Sequence, residues 1–286
     1  MANLKEIRNR ISTVSSTMQI TSAMKMVSAA KLKKAQDAIT AMRPYANKLT
    51  ELLQSLSASL DGDAGSAYAD NREVNKVLVV AISSNRGLCG AFNSNIAKQC
   101  AVLVNDTYAG KEVDFVAIGK KVNDGLSKKS NVVGNKSEVF DDLTFDAVSE
   151  IAEELMARFT DGDYDRIELV YNKFKNAATQ IVMTEQFLPI VPIEGDNQNG
   201  GDYIFEPEKA EIVEQLIPKS LKTQLYKAIR DSFASEHGAR MTAMHKATDN
   251  AKELRDQLKL TYNKARQAAI TNEILEIVGG AEALNN

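Results

Sequence analysis

The sequence predicts an α/β domain set between two long terminal helices that pair as an antiparallel coiled coil. Three observations carry that prediction. Helix breakers are concentrated in the middle, since no glycine precedes Gly62, no proline precedes Pro44, and Gly238 is the only breaker between Pro218 and Gly279. Both ends repeat apolar residues at helical spacing, and between them strand-like runs alternate with helical ones. Charge divides the chain in the same way: of a formal net −3 over 286 residues, residues 1 to 60 carry +6, residues 61 to 206 carry −10 and residues 207 to 286 carry +1. Those three spans are the expected N-terminal helix, central α/β domain and C-terminal helix.

In the first span Leu4, Ile7, Ile11, Val14 and Met18 form a heptad seam. After Met18 the seam is expected to shift, with Ile20, Met24 and Val27 taking over and Lys25 falling where the old register wants an apolar residue. Pro44 is the position open to a kink, and Ala46, Leu49, Leu52, Leu53 and Leu56 resume the face. Some 55 residues at about 1.5 Å each give a rod of roughly 80 Å, which needs a partner to bury its stripe. The last span supplies one: Ala247, Ala251, Leu254, Leu258, Tyr262, Ala265 and Ala269 recur at spacings of three and four, and the alanines allow close approach. Upstream the face continues through Leu221, Leu225, Ala228, Ile229, Phe233, Met241 and Met244, from Lys219 onward.

The middle reads as strand from Lys76 to Ser83, loop through Gly90, helix from Ser94 to Tyr108, strand from Val113 to Ile118, and a helix after Gly119. A helix from Asp146 to Phe159 follows, then strands Arg166 to Phe174 and Thr179 to Pro189 as a hairpin around Asn176. This order predicts a mostly parallel, Rossmann-like sheet with an antiparallel edge. Gly195 to Asp202 is a polar loop.

Composition excludes several chemistries. Cys89, Cys100, His237 and His245 are all the cysteines and histidines, too few for a disulfide framework or a zinc cage. No apolar run reaches the roughly 18 to 20 residues of a membrane helix, and residues 1 to 20 lack a signal peptide's apolar stretch, so a soluble chain in a reducing compartment is expected. Gly87 and Gly90 after a strand invite a phosphate-loop reading, but their G-x-x-G spacing lacks the nucleotide fingerprints, and a structural turn is the plainer reading. Cys89 reads as a buried small residue before a reactive thiol. Asp141-Asp142 and the acidic run Asp161 to Asp165 read as solvated turns, not cation sites, and His237 and His245 as surface positions. The basic stretch with Lys25, Lys31, Lys33, Lys34 and Arg43 lacks interleaved aromatics, which favours a solvated face or an acidic protein partner over nucleic acid. Between Gln267 and Val278, Ile and Leu point to nearly every side of the helix, so another chain is expected to enclose it.

Several motifs resemble one family. Ile270-Thr271-Asn272-Glu273-Ile274-Leu275-Glu276 with Gly280-Ala281-Glu282-Ala283 fits its C-terminal signature, and Tyr262 to Gln267 precedes it as expected. Ile20 to Val27, Ser84 to Asn93 and Tyr203-Ile204-Phe205-Glu206-Pro207 resemble its other conserved-type segments. The chain resembles the gamma subunits of F-type ATP synthases, along essentially its whole length. The resemblance implies a noncatalytic rotor stalk without cofactor or metal, coupling proton-driven rotation of a membrane ring of c subunits to ATP synthesis or hydrolysis in an alpha and beta ring. It implies epsilon as a further partner, no nucleic acid, no membrane insertion, and a peripheral place on the cytoplasmic face of a bacterial plasma membrane. Carried residue by residue, the contact with the alpha and beta ring falls on Met24, Lys25, Arg240, Gln267, Thr271, Glu273 and Glu276, with Lys25 standing where some members have an acid. Tyr203 and Glu206 would face the membrane ring or epsilon. The plant-type regulatory cysteine pair is absent, so no thiol switch is expected. Beside this stand two other classes, a nucleotide-dependent α/β enzyme with a helical arm and a self-associating coiled-coil scaffold.

Overall fold

The computed structural model describes residues 4–57, 68, 70, 72–190 and 209–284. These divide into two compact units, one made of Met1–Ser28 with Met241–Asn286, the other of Ala29–Arg240. Helix α1 (Leu4–Ser57) and the last helix, α5 (Lys209–Leu284), contribute to both. Helix α1 continues through Pro44, and α5 through Pro218.

The larger unit is built on strand β1 (Lys76–Ile82), in which all but Lys76 are buried. Burial on both faces is the condition of a strand inside a parallel sheet, and the run Val-Leu-Val-Val-Ala-Ile meets it without alternation. Helix α2 (Phe92–Val102) passes into a π-turn at Leu103–Thr107, earlier than the predicted end at Tyr108. Strand β2 (Glu112–Ile118) then pairs parallel with β1, and helix α3 (Lys120–Leu126) follows. Strand β3 (Asn131–Asn135) adds a parallel edge that the sequence did not reveal: five residues, a glycine at 134, and half-buried side chains leave little pattern to read. Helix α4 (Phe145–Thr160) starts on Thr144, whose hydroxyl accepts from the Ala147 amide at 3.3 Å. Strands β4 (Arg166–Phe174) and β5 (Gln180–Leu188) close the sheet as an antiparallel hairpin, turned by the Asn176 side chain, which accepts from the amides of Ala178 and Thr179.

The sheet order is β3-β2-β1-β4-β5. Leu78, Val80 and Ile82 face α4 and the Ile217–Ile229 part of α5, while Val77, Val79 and Ala81 face α2 and α3. Two apolar layers therefore sandwich the sheet, each large aliphatic contributing about 1.5 to 3 kcal/mol on burial. Gly119 ends β2 at φ 118°, and a Cβ there would lie 2.5 Å from the Ser83 carbonyl oxygen, so only glycine fits where β2 turns across the end of β1. Asp165 is no free carboxylate. Its Oδ2 accepts from the amides of Asn75 and Lys76 at 2.9 Å and ties the turn before β4 to the start of β1.

In the smaller unit the two helices run antiparallel. Four contacts set the register: Arg8 donates to the Tyr262 hydroxyl at 2.8 Å, Arg255 to the Met18 sulfur at 3.6 Å, Thr248 to Thr21 at 2.8 Å, and Lys25 meets His245 at 3.4 Å. The expected seam shift after Met18 does not occur. The heptad runs straight on through Thr21, Lys25 and Ser28, with Thr21 and Ser28 buried, whereas Ile20 and Val27 are 60% and 57% exposed. Opposite, Arg255 takes the seam place expected of Leu254, which is exposed. The Thr21–Thr248 pair satisfies the Thr21 hydroxyl that the seam buries, so a polar contact helps to hold the register there.

Candidate functional site

The predicted interface residues fall in three places. Tyr203 and Glu206, like the predicted loop from Gly195 to Asp202, lie outside the described residues. Gln267, Thr271, Glu273 and Glu276 lie on the end of α5, all exposed. The antiparallel register brings Leu4 opposite the turn after Tyr262, and it runs out of α1 altogether at Ile270. From there on no described residue of α1 faces α5. Ile270, Ile274, Leu275, Ile277 and Val278 are 47 to 66% exposed, so the helix presents aliphatic side chains around its circumference. The Thr271 hydroxyl donates to the Gln267 carbonyl at 2.9 Å, an ordinary bond along the helix.

Met24 and Lys25 sit in the paired part of the smaller unit, both half-buried. The Lys25 ammonium meets His245 Nδ1, which is 3.4 Å from the Asp249 carboxylate one turn away on α5. Ile20, Met26 and Val27 point outward beside them, 57 to 65% exposed.

Arg240, in the larger unit, is buried. It meets Glu236 Oε1 at 2.6 Å and donates to the carbonyls of Arg86 at 3.0 Å and Gly87 at 3.2 Å. The loop from Ser84 to Gly90 thus turns carbonyls, not amides, toward a cation, the opposite polarity to a phosphate loop. Within the loop, Ser84 donates to the Arg86 carbonyl at 2.6 Å and Asn93 donates to the Cys89 sulfur at 3.2 Å. Cys89 is buried, as expected, and burial raises its pKa.

This loop leaves the carboxyl end of β1, whose neighbours β2 and β4 lie on either side, the place where doubly wound sheets open a ligand crevice. Here α5 lies across that end. Ser235 donates to the Asn172 carbonyl at 2.9 Å, Gly238 approaches Ala177 so closely that a Cβ would be 3.2 Å away, and Arg240 fills the loop. His237, expected at the surface, is only 5% exposed and packs edge-on against Phe233, with ring centroids 4.5 Å apart. The expectation failed because the ring lies between Phe233 and Arg240 on a side of the helix that no helical period marks as buried. Burial first, then the charges of Arg240 and Lys31, push the His237 pKa down to about 4. Burial raises the Glu236 carboxyl, opposed by Arg240.

His245 is exposed, as expected; the residues missed by sequence reasoning are Thr21 and Thr248 in the seam, and near Arg240 the buried Glu236 and Leu88, whose φ is 61°. The spacing of Thr21, Lys25 and Ser28, which continues the heptad from Met18, was the available signal for the first group. Among the described residues no three His, Cys, Asp or Glu side chains converge as a metal site, and no helix is long and apolar enough to cross a membrane.

A sequence model of the ATP synthase family matches residues 3–284. The ATP synthase gamma chain of Flavobacterium psychrophilum is 76% identical over 285 residues, covering 99% of both chains. The chain belongs to the ATP synthase gamma chain family. Other gamma chains are also similar along the full length: that of Flavobacterium johnsoniae is 74% identical and covers 100% of both chains, and that of a Geobacter species is 43% identical and covers 99% of both. The gamma-family fold extends to solved mitochondrial assemblies. A chain of the Euglena gracilis ATP synthase, solved with OSCP, F1 and c-ring, superposes with a TM-score of 0.70 at 21% identity, covering 98% of this chain and 94% of that one. A chain from the Tetrahymena thermophila ATP synthase central stalk and c-ring superposes with a TM-score of 0.60 at 26% identity, covering 80% and 99%.

Proposed function

We propose that this chain is the central rotor stalk of an F-type ATP synthase. It couples proton-driven rotation of a membrane ring of c subunits to ATP synthesis or hydrolysis at sites in a surrounding ring of alpha and beta subunits. The observation that carries the reading is the end of α5, where Ile270, Ile274, Leu275, Ile277 and Val278 are exposed on a helix that α1 no longer accompanies. Leaving each of these side chains in water forgoes about 1.5 to 3 kcal/mol, and a helix apolar all round is stable in service only when enclosed. A sleeve of partner subunits encloses it without requiring a fixed angle.

The coupling follows from asymmetry. A single helix differs around its circumference, so each rotary angle presents different side chains to each surrounding site. Whatever binds one conformation of a site more strongly shifts that site toward it, and the energetic coupling is reciprocal. On this reading Gln267, Thr271, Glu273 and Glu276 meet the ring at the tip and Met24 and Lys25 meet it lower on the shaft. The chain carries no active site of its own. The central domain, residues 61 to 206, stands toward epsilon and the c ring, with Tyr203 and Glu206 at that foot, and the terminal spans 1 to 60 and 207 to 286 form the shaft. The assembly places the chain peripherally, on the cytoplasmic face of the bacterial plasma membrane.

Purification of the tagged chain from cells tests this reading. An alpha and beta ATPase core is expected to copurify with it, and its absence ends the proposal. Thr271→Ala with Glu273→Ala is expected to lower coupled ATP synthesis in membranes about fivefold or more, the range of an energetic coupling of about 1 kcal/mol or above.

A further inference from the structure

Helix α1 stays helical across Arg43 and Pro44, against two local penalties. Pro44 has no N–H to give the Thr40 carbonyl, and its ring crowds the residue before it, for which the helical conformation is disfavoured. Sharp bends in helices occur at such prolines. The two long helices are not equally supported at this level. Leu225, Ala228 and Ile229 of α5 belong to the apolar layer on the sheet, and among the described residues no side chain of α1 does. Helix α1 buries Ile39 before the proline and Ala46 and Leu49 after it. At the proline itself the Arg43 guanidinium reaches across to α5 and β4, with Nη2 3.6 Å from Asp231 Oδ1 and donating to the Phe174 carbonyl at 3.4 Å. The Asp231 side chain is 2% exposed, and its Oδ1 has no hydrogen-bond partner among the described residues. Lys227 of α5 and Lys173 and Tyr171 of β4 are the other charged or titratable groups that act on it, and burial raises its pKa against the pull of Arg43. A buried carboxylate is costly without a cation, so Asp231 draws Arg43 inward, while Arg43, its side chain 45% exposed, is free to return to water.

We propose that Arg43 and Asp231 form a latch on a hinge at Pro44: closed, the pair keeps α1 helical and seated through the proline, and open, it lets α1 bend there while α5 stays fixed to the sheet. The residue that carries the backbone penalty is the one whose side chain is tied down, so opening the pair and releasing the hinge are one event. An apolar pair in the same place would hold the helix at least as well but could not open into water. The latch adds to the rotor reading a turn at which the shaft can yield. It concerns residues of the larger unit alone and depends on no partner.

Hydrogen exchange of the full chain tests this, read at the amides between residues 41 and 49 and, for comparison, at those of β1. Asp231→Asn, which keeps the shape and removes the charge, is expected to speed exchange between 41 and 49 about tenfold and to leave β1 within about twofold of wild type. Pro44→Ala restores the missing amide and removes the hinge, so in that background Asp231→Asn is expected to change exchange by about twofold or less. Arg43→Lys, which keeps the charge but not the planar guanidinium that reaches both oxygens, is expected to fall between wild type and Asp231→Asn. Unchanged exchange between 41 and 49 in Asp231→Asn would overturn the proposal. So would an equal acceleration in the Pro44→Ala background, which would make the pair a fastening unrelated to the proline, or an equal acceleration at β1, which would make it a contributor to overall stability. If Asp231→Asn does not fold, Arg43→Lys decides by the same comparison, and exchange equal to wild type refutes the latch. Failure of the wild-type chain to copurify with an ATPase core would refute the rotor reading and leave the outcome of the exchange comparison standing.

Discussion

Leu225 and Ile277 are large aliphatic residues of the same helix, yet one is 0% and the other 66% exposed. Around Leu225 the sheet and α4 supply a complete apolar layer, and the side chain contributes to the stability of the chain that carries it. Around Ile277 none of the described residues does so, and its side chain adds little to the stability of the chain. Sequence hydrophobicity is alike in both places. What differs is whether other parts of the same chain provide a face to bury against.

Substitutions sharpen that contrast, beginning with two glycines. Gly119→Val places a side chain against the Ser83 carbonyl at an unfavourable φ and is expected to destabilise the chain by about 4 kcal/mol or prevent folding. Gly279→Ala, in a helical turn with open space around it, is expected to change stability by no more than about 1 kcal/mol, in the stabilising direction. Urea unfolding of the full chain measures both. Next, Leu225→Ala should cost about 3 kcal/mol by leaving a cavity. A chain that unfolds at the same urea concentration as wild type would show that the sheet face does not need α5.

His237 supplies a pH-dependent test of the buried side. Its pKa in the folded state, about 4, lies below the ordinary 6.5, so the unfolded chain takes up the proton first as pH falls. The stability it permits is complete above the ordinary value and is lost between pH 6.5 and 4. Glu236, raised by burial, works with the opposite sign, gaining stability on acidification. His237→Gln removes only the first effect, so its stability should fall less than wild type between pH 7 and 5, by about 2 kcal/mol. Thermal unfolding at the two pH values measures the difference, and equal losses would count against a neutral buried imidazole. Smallest of all, Ile277→Ser is expected to change the stability of the chain by less than about 0.5 kcal/mol while lowering coupled synthesis in membranes. A large loss of stability would break the contrast, since it would mean the chain buries that side chain itself.

Most of the fold was legible because the buried strands and the paired helices announce themselves by apolar spacing. β1, β2, β4 and β5 lie within a residue or so of their expected bounds. Strand β3 left no such trace, being short, half-buried and interrupted by Gly134. The seam was legible as far as Met18 and then misread, because apolarity was followed when spacing should have been: Thr21 is buried and Ile20 is not. The region of Arg240 was least legible. A turn was evident from Gly87 and Gly90, but nothing local says that Leu88 takes the left-handed conformation or that an arginine about 150 residues away holds its neighbours, as the Arg86 and Gly87 contacts record. Family resemblance put Arg240 among the residues that meet the alpha and beta ring, without pointing to Glu236 or to the loop carbonyls that it meets within the chain.

Gly238 gives the sheet one more significance. A shaft that transmits torque twists most at its most compliant turn, and glycine, the weakest helix former after proline, stands in the middle of α5. That turn is not left to bear the load alone. The missing side chain lets Ala177 of the hairpin seat against it, while Ser235 on one side and Arg240 on the other fasten the helix to the sheet end. The turn at Gly238 is thereby tied to the end of the sheet, so a twist applied there is shared with the sheet.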